Sequence, residues 1–223
     1  MASMAAAPTA SDATYDGVAR GALEQRLGVP RAVVYAQLGS TMDVAHRLAE
    51  DGAAAGTLVL ADRQTAGRGR NGHAWASAAG AGIWLTLVER PTDASVLDIL
   101  SVRLGLRVAR ALDPFATGPV RVKWPNDLYL AAGGEMGKVG GILCEARWHG
   151  ERLGWIAIGI GINLAAPADV PGAIGLPAGP SRLAILDAVV PALRAGAAMR
   201  GGLTAPEQAD LAGRAVTPVA VST

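Results

Sequence analysis

In 223 residues this chain has one cysteine, one phenylalanine and two lysines. The lone thiol, Cys144, excludes a disulfide framework and any cysteine-cluster metal site. Net charge is also scarce. Twenty basic side chains against nineteen acidic ones leave a formal +1, so no global field draws the chain to nucleic acid or an anionic membrane, and any basic site has to be local. Long apolar runs are missing: the longest uncharged apolar stretch, Leu153 to Ala166, is too short and too glycine-rich to span a bilayer. The opening MASMAAAPTASD has neither the basic segment nor the continuous apolar core of a secretory signal. A soluble, cytoplasmic protein is expected. What the chain does have is 51% hydrophobic and 17% charged residues, enough for a sizeable core and incompatible with wholesale disorder. Alanine, glycine and arginine are abundant, and against eighteen arginines Lys123 and Lys138 stand out.

Hydrophobic periodicity and breakers organise the chain into one or two domains. Residues 1–16 are small and polar and read as a disordered arm; with a short helix over Ala19–Leu27, ended by Gly28-Val29-Pro30, they make residues 1–30 an accessory segment. Residues 31–200 form the main domain. A strand at Ala32–Ala36 runs into Gly39-Ser40-Thr41, which can cap a helix over Met42–Glu50. A buried strand at Thr57–Ala61 ends in a polar loop, Asp62–Gly72. Ile83–Val88 reads as a strand and Ala94–Leu112 as one amphipathic helix. Val120–Lys123 and Leu128–Leu130 flank a turn, and Lys138–Trp148 with Trp155–Asn163 form a hairpin across His149-Gly150-Glu151. Residues 165–180 are loop, and Arg182–Met199 is a helix interrupted near Pro191. Residues 201–223 are a short end segment with one apolar run, Ala215–Val221. The hairpin and the few helices between strands predict an α+β fold: a mixed, largely antiparallel sheet with packed helices.

Four segments carry chemistry. Gly67-Arg68-Gly69-Arg70-Asn71-Gly72 alternates glycine with guanidinium, which allows close backbone approach and bidentate pairing with phosphate or carboxylate; an arginine-rich surface turn or an RNA-binding element has the same composition. Lys123-Trp124-Pro125-Asn126-Asp127 puts a cation, a ring and two oxygen-bearing side chains at a strand end, suited to a nucleotide base, a phosphate and Mg²⁺, or simply to a turn. Lys138-Val139-Gly140-Gly141-Ile142-Leu143 opens a strand with a lysine and two glycines, so a ligand or another backbone can lie against it, or the lysine is merely a solvated edge residue. Gly159-Ile160-Gly161-Ile162-Asn163 clears one strand face for a flat ligand, or marks a barrel-like bend. His46, His73 and His149 have no metal-ligand spacing and read as solvated or capping residues, and Cys144 as an inert core thiol.

In this order, together with Gly39-Ser40-Thr41 and with Gln64-Thr65-Ala66 and Trp75 around the loop, these segments resemble the catalytic domain of biotin–protein ligases over about residues 31–200, the class II synthetase-like fold shared with lipoate ligases. The resemblance implies an enzyme that activates biotin with ATP and Mg²⁺ to biotinyl-5'-AMP and transfers it to a lysine of the biotin carboxyl carrier domain of a biotin-dependent carboxylase. It places Ser40, Thr41 and Gln64 on the ureido ring, with Met42 where asparagine is frequent, and Gly159 and Gly161 along biotin. Arg68, Gly69 and Arg70 belong to the loop that closes over the adenylate, and Lys138 reaches the biotin carboxylate and the acyl phosphate. Lys123 is expected on the phosphate, so Lys138, Arg68, Arg70 and Lys123 are the catalytic candidates. Trp75, Trp124, Asn126, Asp127 and Asn163 fall on the nucleotide side. Metal ligands are not identified. The loop has no apolar anchor and is expected to stay mobile until an anion gives Arg68 and Arg70 a partner. Some members carry an amino-terminal winged helix-turn-helix; about 30 residues precede the first strand here, so no DNA binding is expected. Members usually end in a small all-β domain, about twice the length of residues 203–223, and this segment is expected to be a shortened form of it. The alternatives are a lipoate–protein ligase, a non-catalytic biotin or nucleotide sensor, and an RNA-binding module.

Overall fold

The computed structural model describes residues 14–177 and 179–216. In chain order the elements are α1 (Arg20–Leu27), β1 (Arg31–Leu38), α2 (Thr41–Glu50), β2 (Thr57–Gln64), β3 (Gly82–Glu89) and α3 (Leu100–Leu112). They are followed by β4 (Arg121–Lys123), β5 (Asp127–Ala132), β6 (Glu135–His149), β7 (Arg152–Asn163), α4 (Arg182–Ala197) and α5 (Ala205–Arg214). The strands make one sheet in the order β1-β2-β3-β7-β6-β5-β4. Only β1 and β2 are parallel, joined across α2 as a parallel pair requires; the other neighbours are antiparallel. This is the expected α+β fold with a mixed, largely antiparallel sheet.

Side-chain alternation gives the sheet two unlike faces. Leu58 and Leu60, Ile83, Leu85 and Leu87, and Ile156, Ile158, Ile160 and Ile162 point to one side, where they form the main core with α3 and α4. Val59, Ala61, Val88 and Ala157 point to the other, where α2 covers them through Met42, Val44, Ala45 and Ala49. One helix cannot cover seven strands. Beyond its footprint the second face continues with Thr86 of β3, Gly159 and Gly161 of β7 and Leu143 and Gly141 of β6, which are register partners across the sheet. That half-covered face is the floor of the cavity described below.

Several boundaries differ from the sequence reading. Tyr15, expected in a disordered arm, is buried, with the Arg182 guanidinium 4.5 Å from its ring centroid; residues 1–13 of that arm lie outside the described residues. β2 runs on through Asp62, Arg63 and Gln64, because β1 supplies backbone partners for polar residues as readily as for apolar ones. The helix expected over Ala94–Leu112 divides: the Asp93 side chain caps a 3₁₀ turn at Ala94–Asp98, and Ile99 leaves helical dihedrals before α3 starts. Conversely, α4 runs unbroken through Pro191. Pro191 is exposed, so the carbonyl its missing N–H leaves free can turn to water while Val189, Val190 and Leu193 hold the helix on the core.

The carboxy-terminal segment is helical where described. Thr204 and Glu207 form a capping box on α5. Glu207 accepts from the fully buried Arg103 of α3 at 3.2 Å, and the same guanidinium donates to the Gly202 carbonyl at 2.5 Å. Val216 then donates to the Val122 carbonyl at 3.0 Å, beside β4. The apolar run expected over Ala215–Val221 lies mostly outside the described residues.

Candidate functional site

A cavity of about 310 Å³ lies on the half-covered face, roofed by the segment from Arg68 to Trp75. One end is a polar wall built where β1 hands over to α2. Ser40, the N-cap of α2, accepts from the Met42 amide at 3.3 Å. The next residue, Thr41, gives both its amide and its hydroxyl to Gln64 Oε1, at 2.8 and 3.1 Å. Gln64 Nε2 donates to Ser77 at 2.9 Å, and Thr86 donates to Thr41 Oγ1 at 2.9 Å. Ser40, Thr41, Ser77 and Thr86 are buried, Gln64 is half-buried, and the bonds among them hold the wall rigid. Met42 closes it off: a Cβ on Gly159 would stand 2.7 Å from Met42 Cε.

The glycine face is not bare. The Trp75 indole lies flat on it, so that a Cβ on Gly161 would stand 2.4 Å from the ring and one on Gly141 3.2 Å from it. Only glycine permits that approach. The flat group on this face is therefore, in this structure, one of the chain's own. Its Nε1–H is buried without a partner among the described residues. The Lys138 ammonium sits 5.1 Å from the Trp75 ring centroid and 2.8 Å from Asp127 Oδ1. Arg70 reaches Asn126 Oδ1 at 3.2 Å, and Asn126 Nδ2 is held by the Ile142 carbonyl at 2.9 Å.

The Gly-Arg loop, expected to have no apolar anchor and to wait for an anion to partner its arginines, is held here by polar groups of the chain itself. Arg68 bonds to Asp43 of α2 and Glu145 of β6. Glu145 also meets His46 Nε2 at 3.0 Å, while Trp155 Nε1–H donates to His46 Nδ1 at 3.0 Å. Because Nδ1 must accept, the proton of neutral His46 is on Nε2 and is given to Glu145. Burial pulls the His46 pKa below its ordinary value despite the neighbouring carboxylate. Burial alone would raise that of Glu145, but its bonds to Arg68 and His46 outweigh this and lower it. Among the described residues there is no cluster of three or more metal-type side chains. Burial pushes the Cys144 thiol up to about 12, in keeping with an inert core residue.

Most of the residues singled out in the sequence come together here: Ser40, Thr41, Met42 and Gln64 on the wall, Arg68, Gly69, Arg70 and Trp75 on the roof, and Asn126, Asp127, Lys138, Gly159 and Gly161 below. Three do not line the cavity. Lys123 is on the edge strand β4, one strand outside Asp127, and its ammonium rests on the Tyr129 ring at 5.3 Å. Trp124 points to solvent, 75% exposed. Asn163, at the end of β7 opposite Gly82, is buried, its carbonyl accepting from Leu176 at 2.9 Å. Conversely, Thr86, Asp43 and Glu145 escaped the sequence reading; for Thr86 the only available signal was a hydroxyl inside an otherwise apolar strand. His46, expected to be a solvated or capping residue, is a bonded member of the site's support.

The fold and cavity define a class: an α+β domain whose half-covered mixed sheet carries a small-ligand cavity under a Gly-Arg loop. Residues 34–163 match the Biotin/lipoate A/B protein ligase family, and the chain belongs to that family. It is similar to the bifunctional ligase/repressor BirA of Bacillus subtilis, 39% identical over 136 residues, 60% of this chain and 41% of that protein. It is also similar to the biotin–[acetyl-CoA-carboxylase] ligase of Mycobacterium tuberculosis, 38% identical over 144 residues, 61% of this chain and 51% of that one. The chain thus spans about two fifths to a half of the length of these curated relatives. Among solved structures, the biotin protein ligase from Aquifex aeolicus in complex with biotin and ATP is 29% identical, with a TM-score of 0.63 over 75% of this chain and 70% of that one. The Leishmania major biotin protein ligase in complex with biotinyl-5-AMP shares the fold, with a TM-score of 0.68 at 23% identity over 87% of this chain and 85% of that one.

Proposed function

We propose that this chain activates biotin with ATP to biotinyl-5'-AMP and transfers the biotinyl group to a lysine of the biotin carboxyl carrier domain of a biotin-dependent carboxylase. One observation carries the reading: a single cavity joins a hydrogen-bonding wall, Ser40-Thr41-Gln64, to a group of cations, Arg68, Arg70 and Lys138. A urea ring bearing a carboxylate tail needs both ends. In the first step a carboxylate oxygen attacks the α-phosphorus of ATP, the bond to the β-phosphate breaks and pyrophosphate leaves. Two anions must meet, and fixed cations lower that cost. In this reading Lys138 lies between carboxylate and phosphate, and Arg68 and Arg70 cover the mixed anhydride and exclude water. In the second step the acceptor amine attacks the acyl carbon, an amide forms and AMP leaves. No side chain serves as a covalent nucleophile.

Asp127 and Asn126, hard oxygen donors at the cavity, would hold Mg²⁺ together with the phosphates of ATP by exchanging their present partners, Lys138 and Arg70, and the metal would supply neutralisation of the phosphate charge. The Biotin/lipoate family also covers lipoate chemistry, but a dithiolane ring offers no hydrogen bonds to the polar wall, which favours biotin. The test is pyrophosphate exchange into ATP. Biotin-dependent exchange is expected, with little or none from lipoate. Equal exchange with both acids, or none with either, would refute the assignment.

A further inference from the structure

The Gly-Arg loop is a small folded unit rather than a slack segment. Arg68 and Ala74 face each other as a bridge, and the Gly69 amide donates to the His73 carbonyl at 2.8 Å. The His73 amide donates to the Arg70 carbonyl at 3.0 Å, and between them Asn71 and Gly72 have φ of +54° and +76°. Two successive left-handed residues are what a tight hairpin turn uses, and Asn-Gly is its favoured sequence. A hairpin closed on itself moves as a body, so its seat over the cavity depends on what holds it from outside.

Among the described residues, two of its side chains bond to the elements beneath it, and they are unequally held. Arg70 meets a neutral acceptor, Asn126 Oδ1, at 3.2 Å. Arg68 meets two carboxylates, Asp43 of α2 and Glu145 of β6. A guanidinium shared by two carboxylates has little charge left for a ligand anion, whereas one resting on a carboxamide keeps nearly all of it. Arg68 is thus the tie that seats the loop, and Arg70 the arginine free to turn to an anion. Of the Arg68–Glu145 pair, Glu145 is the better fixed, its side chain 19% exposed against 39%. Its Oε1 accepts from Arg68, while its Oε2 accepts the His46 Nε2 proton at 3.0 Å and a bond from Arg147 at 3.3 Å. His46 cannot change tautomer here, because Trp155 donates to its Nδ1 at 3.0 Å. Both oxygens of Glu145 are therefore needed as acceptors, one on each side.

We propose that Glu145 is a positioning residue: acting through Arg68, it keeps the hairpin seated and so retains the adenylate between its formation and its transfer. The inference rests on the biotin reading and deepens it. A mixed anhydride that leaves the site is lost to water, so the second step gains from a roof that stays down. Glutamine has the size of glutamate but a single acceptor oxygen, so Glu145→Gln must turn an N–H toward either Arg68 or the His46 N–H. It also removes the charge that offsets Arg68.

The test uses the full chain. Adenylate is formed from labelled biotin and ATP without acceptor, and its escape is followed after adding excess unlabelled biotinyl-5'-AMP. Glu145→Gln should speed escape about tenfold or more, the size of one lost charge-assisted hydrogen bond. Arg68→Ala should do the same, and the two changes together should leak no faster than Arg68→Ala alone, as residues acting through one another require. Without ligand, tryptic cleavage after Arg70, measured against cleavage after the exposed Arg200, should rise in Glu145→Gln by about the same factor. A folded Glu145→Gln chain that holds adenylate as long as wild type would overturn the proposal, as would losses that add in the double variant. Where Glu145→Gln does not fold, Asp43→Ala, at the exposed end of the same clamp, takes its place, and unchanged escape would be equally fatal. Wild type that forms no adenylate would instead overturn the underlying biotin reading, while the cleavage ratio would still decide whether Glu145 seats the loop.

Discussion

A chain that uses arginine almost everywhere keeps two lysines, and the structure separates them. Lys138 is a compact ammonium wedged between the Asp127 carboxylate, at 2.8 Å, and the face of Trp75. A guanidinium is wider, planar and directional, so it cannot keep both contacts in the same space. Lys138→Arg should therefore preserve the charge and the fold while misplacing the donor. Adenylate formation is expected to fall on the order of 10²-fold, with a melting temperature close to wild type. Near-normal exchange by the folded variant would remove Lys138 from the mechanism. Lys123 invites the opposite outcome. On the edge strand its ammonium rests on the Tyr129 face, an interaction arginine makes equally well, so Lys123→Arg should leave exchange near wild type.

At the scale of elements, the site depends on glycines of β6 and β7 that face one another across the sheet and on helices that hold their neighbours in place. Gly141 and Gly161 are cross-strand partners, so their missing side chains make one continuous shelf for Trp75. The most exacting helix contact lies elsewhere, between α3 and α5. Arg103 has no solvent exposure, and it ties α5 down through Glu207 and the carbonyls of Gly201 and Gly202. Arg103→Ala leaves the buried Glu207 with only the more distant Arg107, at 4.0 Å, as its cation, although Thr204 still donates to it at 2.9 Å. A loss of about 3 kcal/mol is expected in urea unfolding, toward the low end for breaking a buried pair. A change below about 0.5 kcal/mol, the size of an ordinary surface substitution, would mean that α5 is not docked as described.

For the whole molecule, the ion-pair support of the Gly-Arg loop makes stability depend on pH. The folded His46 pKa lies below its ordinary value near 6.5. Between the two values the unfolded chain binds the extra proton first, so stability falls as pH drops from about 7 into that interval. Protonation would also turn Nδ1 into a donor facing the Trp155 N–H, which breaks that bond. Glu145 adds a second, lower step: its depressed pKa contributes stability above its unfolded value, and this is lost as pH falls through the folded one. Urea unfolding from pH 8 down to well below the ordinary glutamate value of 4.5 should show both declines, and His46→Gln should flatten the upper one alone. A wild-type profile with no decline between pH 7 and 5.5 would contradict the buried, neutral His46.

The local sequence by itself determined the strands, the Ser40 cap and the glycine spacing of β6 and β7, because each depends on periodicity or on a residue's own backbone preference. It also brought out most of the cavity lining, since the motifs at Gln64–Trp75, Asn126–Asp127 and Lys138–Leu143 are contiguous in the chain. Pairing across long separations was decided only by the tertiary structure. Asp43 and Glu145 meet Arg68 from elements 25 and 77 residues away, and no local pattern brings them together. The placement of Lys123, Trp124 and Asn163 outside the cavity follows from strand order and strand ends, which alternation along a single strand does not contain. Thr86 shows the same limit most plainly. Its place inside an apolar strand marks it for burial, but its partner, the Thr41 hydroxyl, lies on another element, so the bond exists only once the chain has folded.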